Sequence, residues 1–461
     1  MTKLAAPKPV AINPLKSSAP LGAAMAFLGV EGGVPLFHGS QGCTAFALVA
    51  LVRHFKETIP FQTTAMNEVS TILGGADHLE EALLNLKSRM KPRFIGVCST
   101  ALTETRGEDF AGDLKAILER RAEELAGTDV VFASTPDFDG ALETGWSKAT
   151  LAIIRALVST TNVHRDARRV NILPGQHLTP AEVEHVKDIV ESFGLIPIAL
   201  PDISTSLDGT VPEQWNPTAY GGARVEDIAR MGAAACTIAI GEHMREAAEA
   251  LREIGGAPVV VIDRLNGLAA TDELMMLLAE LSGRSVPERL LRRRSQLVDA
   301  MLDGHFHFGG KTVAIGAEPD LAFALAGFFT DMGARVSVVI TTNPSPIVSR
   351  IAGDDVRVGD LDDLETDAVG ADLVVTHAHG RQMSSRLGIP LLRVGFPIFD
   401  RLGPAHDMRV GYQGARDFIF EAANMFLAQD HHATPERLDP FRAAGAAHLE
   451  ERHDRPSFSR H

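Results

Sequence analysis

The sequence predicts a doubly wound α/β protein, with mainly parallel sheets and flanking helices in three consecutive groups. Short β-branched apolar runs alternate with longer amphipathic stretches, and this strand, helix, strand spacing calls for parallel pairing with crossover helices. A length of 461 residues, at about 150 per domain, is enough for roughly three cores.

The elements follow in order. An arm over residues 1–19 holds Lys3, Lys8 and Lys16 among prolines; it lacks a continuous apolar segment and reads as unprocessed and extended rather than as a secretory signal. A first group, 20–165, takes strands at Arg93–Ser99 and Asp129–Ser134, with helices at Leu79–Met90, Asp113–Leu125 and Trp146–Ser159. A second, 166–305, takes strands at Arg169–Leu173, Ile196–Leu200, Cys236–Ile240 and Pro258–Ile262. Its helices fall at Pro180–Phe193, Val225–Met231, Glu242–Ile254, Asp272–Leu281 and Pro287–Leu302. A third, 306–430, takes strands at Thr312–Ile315, Arg335–Ile340, Asp372–Thr376 and Pro390–Val394, with a helix at Asp320–Met332. The junctions fall at His164–Arg169 and Gly304–Lys311, and the histidine-rich tail 431–461 reads as a surface arm.

Composition excludes several function classes. A formal charge of -15 gives no general attraction to nucleic acid or to an anionic membrane surface. Gly32–Val52 is uncharged, but Gly32, Gly33, Pro35, His38, Gly39, Ser40, Gln41 and Gly42 break it, so no membrane span is expected. Three scattered cysteines, Cys43, Cys98 and Cys236, fit a reducing compartment, the cytoplasm.

Most motifs reduce to bland readings. Gly309-Gly310-Lys311-Thr312 precedes an apolar run instead of following one, so it is a domain-entry turn and not a phosphate loop. No G-x-G-x-x-G follows a strand, leaving a dinucleotide site without support. His305-Phe306-His307 and His377-Ala378-His379 would each place two imidazoles on one face of a strand, yet no carboxylate or Cys sits near to complete a metal set. Phe37-His38-Gly39-Ser40-Gln41-Gly42-Cys43 is different. Its glycines allow close backbone approach, and Cys43 opens a helix-like run, Thr44 to Lys56, whose dipole favours a metal-binding thiolate; the alternative is a buried cysteine in a tight turn. Cys98 ends a strand and Cys236 starts one, so both are expected in the core. No C-x-x-C exists. A four-iron cluster takes four thiolates, so a cluster on Cys43 needs ligands from another chain.

These residues add up to a resemblance. Pro20-Leu21-Gly22-Ala23, Val34 through Cys43, Arg53-His54-Phe55-Lys56-Glu57, Thr64-Ala65-Met66-Asn67-Glu68 and Leu73-Gly74-Gly75 resemble the nitrogenase component 1 superfamily. So do the run from Thr100 to Asp109, Gly395-Phe396-Pro397-Ile398-Phe399-Asp400-Arg401 and Gly411-Tyr412-Gln413-Gly414, extending the match from about residue 13 to 415. Within it the chain is most similar to the branch that assembles the iron–molybdenum cofactor. Two cysteines that a catalytic β subunit uses for its eight-iron cluster are replaced, at Ser18 and Ala101, and the third remains at Cys43.

The resemblance implies three Rossmann-like domains and a heterotetramer with a homologous subunit. It implies a four-iron cluster at each interface, held by Cys43 here and three cysteines of the partner, with no catalytic residue assigned to this chain. The cofactor precursor would sit mainly in the partner. Further partners would be the nitrogenase iron protein, transiently, a precursor donor and the catalytic nitrogenase component. The competing readings are a β subunit of a catalytic nitrogenase or of a dark-operative protochlorophyllide reductase, and a small-molecule binder in which Cys43 is merely structural.

Overall fold

The computed structural model describes residues 11–107, 109–159 and 165–430. The expected tail 431–461, the first ten residues of the expected arm, Glu108 and residues 160–164 lie outside the described residues.

Three parallel sheets follow one another along the chain. The first contains β1 (Gly33–His38), β2 (Gln62–Thr63), β3 (Phe94–Ser99) and β4 (Asp129–Ala133) in the order β2-β1-β3-β4. The second contains β5 (Asp166–Leu173), β6 (Ile196–Ala199), β7 (Ala234–Ile240) and β8 (Val259–Ile262) in the order β6-β5-β7-β8. The third contains β9 (Thr312–Ala317), β10 (Arg335–Thr341), β11 (Asp355–Val358), β12 (Leu373–Thr376) and β13 (Leu391–Arg393) in the order β11-β10-β9-β12-β13. Each order reverses once, between β1 and β3, β5 and β7, and β9 and β12; the loops leaving these strand ends diverge and open a crevice.

Every run read as a strand forms one. The strands at β1, β2 and β11 and the helices Ala19–Leu28, Leu361–Asp367, Arg381–Leu387 and Gly411–Asp430 went unread. One reading is corrected outright. His305 and His307 lie in the helix Glu288–Phe308, where a spacing of two puts side chains on different sides, so they are not a strand-face pair. That helix also runs through Gly304, and the turn begins only at Gly309–Gly310.

The sheets are covered on both faces. In the first, Phe37, Phe94 and Cys98 face a core shared by all three groups, while Val34, Leu36, Ile95 and Val97 meet Leu79, Leu83, Leu114 and Ile117 on the other side. The helix Ala19–Leu28 is buried all round and crosses the helix Leu142–Leu157 at close range. Gly22 and Gly145 allow this, because a side chain at either would overlap the backbone of Leu142 or Ala19. Trp146 Nε1 donates to Pro174 O at 2.9 Å, tying the first group to the second.

The described part of the arm is pinned to the third group. Ile12 N donates to Asp360 Oδ2 at 2.8 Å, Leu361 N to Asn13 O at 2.8 Å, and Leu15 is 2% exposed. No helix among the described residues is long and apolar enough to cross a membrane; Gly32–Val52 folds into β1 and part of the helix Gln41–Phe55.

Candidate functional site

Cys43 stands at the crevice of the first sheet. It is the third residue of the helix Gln41–Phe55, which leaves β1, while Thr100 and Ala101 leave β3 across the reversal in strand order. The backbone between β1 and this helix is tightly held. Gly39 N donates to Thr64 Oγ1 at 3.1 Å, and Gly39 O accepts from Met66 N at 2.9 Å. Thr100 Oγ1 donates to His38 O at 3.1 Å, with Thr103 Oγ1 as a second donor at 3.4 Å. Of the two glycines expected to approach something closely, only Gly39 does so: a Cβ there would meet Thr100, whereas one at Gly42 would have nothing nearer than Ser40 Oγ at 4.0 Å.

This cradle presents the thiol outward. Cys43 is exposed, which excludes the buried-turn alternative, and its sulfur accepts from Ser40 Oγ at 3.5 Å. It lies in the first turn of the helix, whose leading amides have no partner inside the helix. Cys98 and Cys236 lie in the core as expected. Burial pushes the Cys98 thiol well up and that of Cys236 to about 11, so neither ionises readily.

A cavity of ≈490 Å³ adjoins Cys43 and brings together residues from distant parts of the chain. Ser18 and Thr100 line it with Cys43, so Ser18 lies at the same opening and Ala101 next to it. Asp137 lines it too; burial raises its carboxyl, partly offset by Lys16 and a hydrogen bond from Ser18. The far wall is His379 and Phe399, with the Arg53 guanidinium 4.2 Å from the centre of the Phe399 ring. Burial, then Arg381 and Arg53, lower the His379 pKa. His377, the other half of that pair, is buried with Nε2 3.0 Å from Leu15 O, and neither histidine belongs to a trio of ligating groups among the described residues.

Sequence reasoning named His379 and Phe399 without bringing them to this site, and it gave no structural role to His54. Its Nδ1 accepts from Ile398 N at 2.9 Å and fastens the Cys43 helix to the Gly395–Arg401 loop. The outer face of the helix is apolar: Phe46 is 86% exposed, and Val49 and Val52 follow at three-residue intervals, also exposed.

One thiol at a helix start is a donor set for one corner of an iron–sulfur cluster. With the other thiols buried in the core or in the second group, the residues fit a cluster whose remaining ligands come from outside the chain.

A family model described as nitrogenase component 1 type oxidoreductase matches residues 18–427. The chain belongs to the nitrogenase component 1 family. Among curated proteins, the nitrogenase iron-molybdenum cofactor biosynthesis protein NifN of Mesorhizobium japonicum is 60% identical over 94% of this chain and 95% of its own. The NifN protein of Klebsiella pneumoniae is 37% identical over 94% and 95%. A solved structure described as nitrogenase Cp1 at pH 6.5 superposes with a TM-score of 0.87 at 29% identity, covering 94% of this chain and 97% of that one. Family membership therefore extends over the three sheets and the Cys43 crevice alike.

Proposed function

We propose that this chain is one subunit of the scaffold on which the precursor of the nitrogenase iron–molybdenum cofactor is matured. It pairs with a homologous NifE-type subunit in a cytoplasmic heterotetramer and shares a four-iron cluster with it through Cys43. The observation that carries this reading is the exposed Cys43 thiol, placed with Ser18 and Thr100 around one cavity where no second thiol is available among the described residues. The apolar stripe of Phe46, Val49 and Val52 supports a partner surface beside that thiol. The relatives named NifN, similar along almost their whole length, support the role in cofactor assembly.

The cluster, when bound, would supply one-electron transfer. This chain contributes one thiolate, the helix start that favours its negative charge, and the threonine-held backbone that fixes its position. The precursor itself would rest mainly on the partner. The nitrogenase iron protein, the precursor donor and the catalytic component would dock in turn. A catalytic β subunit is disfavoured because the alanine at position 101, beside Thr100 at this cavity, cannot ligate iron.

Cys43→Ala in the co-expressed complex tests this. The four-iron signal in electron paramagnetic resonance of the reduced complex and its iron content should both fall. An unchanged signal and iron content, with no added thiol present, would remove Cys43 from the ligand set.

A further inference from the structure

The first and third groups also meet the second at a buried cluster that the proposed function does not use. His177 follows β5 and His243 follows β7, the two strands that flank the reversal in the second sheet, and Asp320 follows β9 beside the reversal in the third. One ligand atom from each lies within 4.8 Å of the others. In sequence both histidines follow strand ends in the same form, Gly175-Gln176-His177 and Gly241-Glu242-His243.

The hydrogen bonding separates their roles. His243 Nε2 accepts from Gln176 N at 3.1 Å and its Nδ1 contacts Asp320 Oδ2, so this imidazole is satisfied at both nitrogens. Asp320 Oδ2 also accepts from His243 N at 3.0 Å. Asp320 is 0% exposed, yet its Oδ1 has no partner among the described residues, and neither has His177 Nδ1. Glu318, two residues before Asp320, carries another unpartnered buried oxygen, Oε2. Buried polar atoms without partners are costly, and such atoms on two residues of the trio call for a cation or for ordered water. Gly241, at φ +100, keeps the space open: a Cβ there would lie 2.8 Å from Asp320 Oδ2, 3.1 Å from His177 Cε1 and 3.2 Å from His243 Cε1. A small cavity of ≈30 Å³ is bordered by Gln176 and His177 together with Gly395 and Phe396.

We propose that His177 and Asp320 hold one divalent first-row transition-metal ion where the three groups meet, with His243 as the residue that orients Asp320. Imidazole and carboxylate donors suit zinc, iron(II), cobalt(II) or manganese(II) better than calcium. Ligating carboxylates are themselves hydrogen-bonded in metal sites, which is the part His243 plays here. The ion would join elements of the second and third groups, next to Glu143 of the first, whose Oε2 lies 3.9 Å from His243 Nδ1.

The test uses the full chain carrying Cys43→Ala, so that neither the exposed thiol nor a cluster contributes. Crystals grown with zinc chloride and measured at the zinc edge should give an anomalous peak about 2.0–2.2 Å from a ring nitrogen of His177 and a carboxylate oxygen of Asp320. Cobalt(II) titration should show one equivalent fewer in the chain that also carries His177→Gln, since every other histidine is common to both. A map with only water at this position overturns the proposal, as does equal cobalt stoichiometry in two folded chains. If the second variant fails to fold, the anomalous map on the first decides.

Discussion

Gly39→Ala probes the cradle that aims Cys43. A Cβ at Gly39 would lie 2.5 Å from Thr100 Oγ1 and 2.9 Å from its Cγ2. The backbone cannot retreat, because Gly39 N is bonded to Thr64 and Gly39 O to Met66. Thr100 must move and give up its bond to His38 O, although Thr103 still reaches that oxygen. Overpacking costs about 1–3 kcal/mol and the lost bond about 1 kcal/mol, partly offset by the lower entropy of an unfolded alanine. A net local loss of about 2 kcal/mol corresponds to roughly 30-fold more frequent opening. Hydrogen–deuterium exchange of peptides covering residues 36–46 should accelerate by that factor. Thr100→Ala removes the clashing atoms, so the double variant should exchange no faster than Thr100→Ala alone, a coupling of about 2 kcal/mol. Unchanged exchange in Gly39→Ala, or strictly additive effects, would refute the contact as the reason for glycine at this position.

Other expectations follow from the same geometry. Burial holds His54 down at about 3, so the unfolded chain takes up its proton near 6.5 and the folded chain does not; the stability this imidazole supports is intact above 6.5 and lost as pH falls toward 3. At pH 5 that loss is about 2 kcal/mol, and His54→Gln should flatten the pH dependence of denaturation midpoints between 6.5 and 5; a parallel curve would show that His54 is not responsible. The difference between chains matters because Glu318, raised to about 7 by burial, works in the opposite direction, losing stability as pH rises from 4.5 to 7. Trp146 is 0% exposed and Trp215 77%, so Trp215→Phe should leave one emission resistant to acrylamide, and efficient quenching of that emission would contradict the burial of Trp146. Phe46→Glu should leave this chain folded but lose the partner, since burying a phenyl contributes about 1.5–3 kcal/mol and an unpaired carboxylate adds a penalty. A heterotetramer of undiminished affinity by sedimentation would exclude this face.

The sequence made the sheet cores legible because fully buried parallel strands read as short β-branched runs, as Val313–Ile315 and Leu373–Val375 do. It concealed β1, whose Gly33 and Pro35 argue against an interior strand. The structure tolerates Pro35 because β2 pairs only with Leu36 and Phe37, leaving β1 an edge at that residue. Cys43 was legible from local chemistry, a thiol after glycines at a helix start. Its surroundings were not: His379 and Phe399 reach its cavity from hundreds of residues away in sequence, a separation for which periodicity carries no signal. The trio His177, His243 and Asp320 lay between the two cases, since a repeated Gly-x-His after strand ends was visible but its convergence with Asp320 required the third sheet.

On the proposed reading, keeping one thiolate and losing two makes cluster retention conditional on assembly. A single thiolate leaves most iron positions of a four-iron cluster open to water, so the isolated chain has little means of holding one. The stripe that begins at Phe46 lies one turn beyond Cys43 on the same helix, so burying that stripe and closing the coordination shell are the same event. Two weak interactions then reinforce each other by linkage: metal ligation stabilises the docked chains, and docking completes the ligand set. A chain with all its own ligands would not be coupled in this way, and would carry its cluster whether or not the partner was present.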